Sequence, residues 1–104
     1  MTTFDERENA FESKFAHDEE MQFKATARAS KLLGLWAAEL QGLTGDAADA
    51  YAKTVVVANF EKAGHEDVIR KIADDVGGKA DADVIRAKFQ ALLPEAKAQL
   101  IDET

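Results

Sequence analysis

Cysteine is absent from this chain of 104 residues, and proline occurs once, at Pro94. The first absence excludes disulfide staples and thiolate chemistry and fits a reducing compartment. The second leaves any helix before residue 94 free of its strongest breaker. Histidine is scarce: His17 and His65 are the two present, and neither has an evident hydroxyl partner for nucleophilic catalysis. Basic excess is missing too, since the formal charge is −7, which argues against nucleic acid and anionic lipid as partners. No apolar run approaches the roughly 18 residues that span a bilayer, so direct membrane insertion is not expected. The first residues are charged rather than apolar, unlike a signal peptide.

No catalytic or metal site emerges. Gly77, Gly78 and Lys79 resemble a phosphate loop, but Ala73 stands where its first glycine belongs and Ala80 where a hydroxyl should hold magnesium. Asp81 and Asp83 lack the further oxygen ligands and the turn glycine of a calcium loop. The acids at 74 and 75 read as a solvated face. His17, flanked by Asp18, Glu19 and Glu20, reads as solvated, with a pH sensor as the sharper alternative; His65 reads as a capping or surface residue.

What is present is helical periodicity. Between Met21 and Leu43, Ala25, Ala29, Leu32, Leu33, Trp36 and Leu40 recur at three and four residues, which predicts a helix over 21–42 ended by Gly42 and Gly45. Trp36 falls on the apolar face and reads as core. Asp46 can cap a second helix, 46–63, with Ala48, Tyr51, Ala52, Val55 and Val56 inside and Gly64 as its stop. A third, 65–76, buries Val68, Ile69, Ile72 and Val76 before Gly77 and Gly78. Asp81 caps a fourth, 81–102, with Ile85, Phe89, Leu92, Ala96 and Leu100 on one face and a kink or break expected near Leu93 because of Pro94. The string DVIR at 67–70 and 83–86 is too short for a repeat and reads as two helix first turns solving the same problem. Short loops favour antiparallel neighbours, so residues 20–104 are expected to form a four-helix bundle in an all-α fold.

Residues 1–19 differ. The first twenty residues hold Phe4, Phe11 and Phe15 among seven acids and two bases. In a helix those phenylalanines fall within roughly 20° of one direction, a stripe too thin to hold the helix alone in water. Thr3 and Glu6 form a capping box, whereas Glu8 and Glu12 repel one turn apart. The segment is expected to be a mobile, helix-prone arm that becomes helical in a partner's groove. Folding back on the bundle as a fifth element remains open. Burying three phenylalanines is worth roughly 5–9 kcal/mol gross, against roughly 2–5 for ordering the segment. The surplus alone is a weak affinity, so other contacts must add to it. Lys24, Arg28 and Lys31 form a basic stripe beside the core face of the first helix. It reads as a solvated charge ladder that includes Glu20, or alternatively as an anion or nucleotide site.

The segments FDERE and KFAHD in the arm, with KLLGLWAA and YAKTVV in the body, resemble the zeta-subunit family, small inhibitor proteins of the alphaproteobacterial F-type ATP synthase. The resemblance covers the whole chain in length and order. It implies a four-helix bundle whose N-terminal arm enters a catalytic interface of the ATPase head between alpha and beta subunits and reaches the gamma subunit. Hydrolysis would be blocked and synthesis largely spared. By position, Phe4, Arg7, Phe11, Lys14 and Phe15 would lie in the inhibitory stretch. The sequence departs from the family's usual basic or amide pair before KLLG, having Ala29 and Ser30. With no catalytic motif in the residues, no enzymatic activity and no required cofactor are expected; the basic stripe and the energy-linked family together leave ATP or ADP open as a modulating ligand. The expected location is cytoplasmic, peripheral to the inner membrane through the synthase, and the free chain is expected to be a monomer. A helical adaptor, or a nucleotide-sensing bundle with little inhibition, is the alternative.

Overall fold

The computed structural model describes the backbone of residues 3–61 and 65–103 and the side chains of residues 19–61 and 65–103. Four α-helices follow one another: α1 Thr3–Leu40, α2 Gly45–Glu61, α3 Glu66–Asp75 and α4 Ala82–Glu103. The fold is all-α, with no strand among the described residues. The Val55–Val57 run is helical, as its alanine-rich flanks predict.

The largest departure from the predicted boundaries is in α1. No helix terminus falls at residue 19; the backbone helix runs on through the predicted division of arm and bundle. The aromatic stripe and the mobility expected of the arm concern residues outside those whose side chains are described, as does the predicted stop at Gly64. At its other end α1 closes as predicted. Gly42 has φ +79°, and the Leu43 N–H donates to the Ala38 carbonyl at 2.9 Å, the reverse turn that satisfies last-turn carbonyls through a left-handed glycine. Asp46 lies inside the first turn of α2 rather than before it, where its charge favours the positive helix end.

α4 begins as expected: Asp81 Oδ1 accepts from the Val84 N–H at 2.9 Å. The expected break at Pro94 is absent, and the helix is continuous through it. The donor that proline lacks would have served the carbonyl of Gln90, an exposed residue that water can reach. Burial of Leu92 and Ala96 then seats the helix on both sides of the proline.

The core gathers fully buried large side chains from every helix: Leu33, Val55, Val68, Ile72 and Ile85. Each is worth roughly 1.5–3 kcal/mol of transfer free energy. α1 packs between α2 and α4, and α3 closes over α2 and α4. The α1 face is built largely of small residues, with Ala25, Ala29, Ala37 and Ala38 buried. At Gly34 the consequence is direct, because a Cβ there would stand 2.7 Å from Ala52 Cα. The backbones of α1 and α2 meet at that point with no side chain between them.

The two DVIR strings do open helices, as expected, but in different surroundings. Val68 and Ile69 are both buried, whereas of Val84 and Ile85 only Ile85 is. Arg86 joins the two turns by bonding Glu66 at 2.9 and 3.2 Å and Asp83 at 2.8 Å.

Candidate partner-binding surface

α1 outruns the body. Its 38 residues span about 57 Å at 1.5 Å per residue, against 17 and 22 residues in α2 and α4. Among the residues of α1 whose side chains are described, Ala25 is the first buried one, and residues 19–24 contribute none. Phe4, Arg7, Phe11, Lys14 and Phe15 all belong to this leading stretch of backbone helix. Their side chains lie outside the described residues.

The basic stripe is brought to one side of α1, and two of its three members have partners. Arg28 binds Glu103 at 2.8 and 3.0 Å through two guanidinium nitrogens and donates to Gln99 Oε1 at 3.0 Å. This fork ties the end of α4 to α1. The hydrogen bond holds the Glu103 carboxyl below the usual glutamate value and raises Arg28 in turn. Lys24 pairs with Glu20 at 3.0 Å, with both side chains more than half exposed. Lys31 is exposed and has neither kind of anchor.

Several polar residues have roles that periodicity does not reveal. Asn59, 5% exposed, and Ser30, 1% exposed, are buried polar residues. Asn59 Nδ2 donates to Ser30 Oγ at 2.7 Å, and Ser30 Oγ donates to the Thr26 carbonyl at 2.8 Å. That orientation turns Asn59 Oδ1 toward His65 Nδ1, 2.7 Å away. The imidazole must then carry its proton on Nδ1. His65 thus stands at the start of α3 without capping it through its side chain, and its ring lies 4.7 Å from that of Phe89. Asp75 is also more than solvated: Tyr51 Oη and Lys71 Nζ each donate to Oδ2 at 2.8 Å. Burial alone would raise the Asp75 carboxyl, but these two donors outweigh it and leave the group lowered. Burial, then the bond to Asp75, raises the Tyr51 phenol. Lys79, the lysine of the apparent phosphate loop, donates to the Leu40 carbonyl and so closes the end of α1.

Exposed large apolar side chains among the described residues are Phe23 on α1, Val57 and Phe60 on α2, and Val84 and Ile101 on α4. Phe23 is 61% exposed, Val57 52% and Phe60 42%; the two rings pack 4.8 Å apart at a tilt of 34°. Trp36, by contrast, packs against the core as predicted, with the Lys88 ammonium 5.8 Å from its ring centre. Among the described residues no cluster of His, Asp or Glu could hold a metal ion, and no helix is long and apolar enough to cross a membrane.

Comparison with known proteins gives two findings. The family described as ATPase inhibitor subunit zeta matches residues 1–99. A protein solved by solution NMR is 57% identical, covers 81% of this chain and 99% of its own, and superposes with a TM-score of 0.75. No curated protein matches.

Proposed function

The chain belongs to the ATPase inhibitor subunit zeta family, and from that premise we propose that it binds the catalytic head of an F-type ATP synthase through residues 1–19 and blocks ATP hydrolysis there. An inhibitory role toward an ATPase and association with the synthase go with the family. The finer reading concerns which part of the chain inhibits and what it touches.

The observation that carries it is the length of α1 beyond the body. A helix that extends well past its own core has no internal reason for the aromatic residues its sequence supplies, and an amphipathic helix is suited to a groove on another protein. The alpha and beta subunits would provide that groove, with gamma at its inner end. Phe4, Phe11 and Phe15 would supply the apolar anchors, and Arg7 and Lys14 the charged contacts. The body would act as the stop that sets how deep the helix goes. No catalytic residue or cofactor is required of the chain, which would work in the cytoplasm at the inner membrane, held there by the synthase.

The test is hydrolysis by purified ATPase head with the full chain and with residues 20–104. Inhibition by the full chain and its loss on removing residues 1–19 is the expected result; equal inhibition by both would overturn the assignment.

ATP or ADP as a modulating ligand would use Lys24, Arg28 and Lys31. Arg28 is already committed to Glu103, so a phosphate would have to displace that carboxylate. Nucleotide-induced amide shifts around residues 99–103, at the far end of the chain from Lys24, would be the sign of such a displacement.

A further inference from the structure

A groove runs along the outer side of α1 and α2. One part, about 490 Å³, is lined by Lys31, Asp49, Ala52, Lys53, Val56 and Val57. A second, about 360 Å³, shares Lys31 and Val56 and continues past Ala27 to Phe23, Lys24 and Leu100. Its floor is apolar, its end is the exposed Phe23 and Phe60 pair, and Lys31 and Lys53 stand on its rim beside Asp49, while Lys24 is paired with Glu20 and Arg28 with Glu103. Lys31 and Lys53 are both exposed. Apolar floor and cationic rim together specify an acidic helix with aromatic anchors.

The chain itself contains such a segment. Residues 1–20 carry seven acids, two bases and three phenylalanines. α1 is unbroken from Thr3 to Leu40, so its leading part points away from the groove beside residues 23–31 of the same chain. A second copy faces no such constraint. We propose that this groove receives the N-terminal helix of a second copy of the chain, pairing two molecules arm to groove. When two copies exchange arms reciprocally, the pairing closes as a symmetric dimer. The expected free monomer then holds only in dilute solution. In concentrated solution the arms are covered, and the proposed inhibitory segment is held in reserve. The pairing itself does not depend on inhibition.

Sedimentation equilibrium and amide spectra of the full chain, from about 20 µM to about 2 mM, test this over a range in which a weak dimer forms. The expected result is a rise in mean mass toward the dimer, with shifts at Lys31, Val56, Val57 and Phe60. The double variant Lys31→Glu, Lys53→Glu changes only exposed side chains and should weaken association at least about tenfold, as should high salt. A synthetic peptide of residues 1–20 should shift the same amides of the full chain. A monomer throughout the range would overturn the proposal. Association that the double variant leaves unchanged would overturn the groove as its site. Groove shifts on removing residues 1–19 that are the same at every concentration would place the arm on its own groove and overturn the second copy.

Discussion

Along α1, the turns from Ala25 to Ala38 bury Ala25, Ala29, Ser30, Leu33, Ala37 and Ala38, while from Glu19 to Lys24 no residue is fully buried and Met21 is half-buried. One backbone helix thus passes from a packed environment to an open one within a single turn. In the packed half small residues bring α2 and α4 close, and stability comes from the neighbours rather than from the helix itself. In the leading half the sequence supplies charge and widely spaced aromatics, so whatever stabilises that half must come from outside. A helix can therefore be continuous in backbone and divided in its energetics.

The sharpest way to break this comparison is to cut it. Removing residues 1–19 should abolish inhibition of hydrolysis, at least about tenfold in the concentration required, because aromatic anchors carry most of such a contact. The same truncation should leave the melting temperature of the body nearly unchanged by circular dichroism. A large fall in melting temperature would show that the two halves are not separable.

Ile72→Ala should do the reverse. It opens a cavity at a fully buried site and should cost about 2–5 kcal/mol, seen as a fall of roughly 10 °C or more in melting temperature. The leading half should still inhibit at temperatures where the body stays folded. Asn59→Ala sharpens the packed half further. It removes the donor to buried Ser30 and the acceptor for His65, and should cost about 1–3 kcal/mol. Denaturant unfolding would measure it, and no change would mean the three-residue relay contributes nothing.

The smallest effect concerns pH. Glu66, Asp75 and Glu103 all have lowered values in the folded chain. Each therefore contributes stability above its unfolded value, and that contribution is lost as pH falls through the folded one. For Glu103 the loss begins below the ordinary glutamate value of 4.5. It should appear first as fraying of the end of α4 from Arg28, visible in amide spectra. Arg28→Gln should remove that component and leave those of Glu66 and Asp75 in place.

Much of the fold is readable in the residues because the signals are local. The Asp81 cap, the left-handed glycines after α1 and α3, and the apolar spacing of Val68, Ile69, Ile72 and Val76 each involve neighbours within a few positions. What periodicity misses depends on residues far apart. Gly34 looks like an unremarked helical glycine until Ala52 is placed against it. Asn59 reads as an interruption of an apolar face, and only the approach of Ser30 and His65 makes it a satisfied core residue. Phe23 and Phe60 are hydrophobic and so invite a place in the core, yet they pair on the surface. Lys24, Arg28 and Lys31 share one side of α1 by their spacing; that Arg28 is engaged follows only from where α4 ends.

The contact at Gly34 has a consequence for how the molecule opens. Where two helices meet backbone to backbone, no side chain can swing aside to admit water, so separation must involve both helices at once. Amide hydrogens around residues 33–38 and 52–56 should exchange with solvent last, through global unfolding. α3, the shortest helix, should exchange earlier. The part of α1 that leads out of the body is thus rooted in the slowest-exchanging seam of the protein, and local opening elsewhere leaves that root in place.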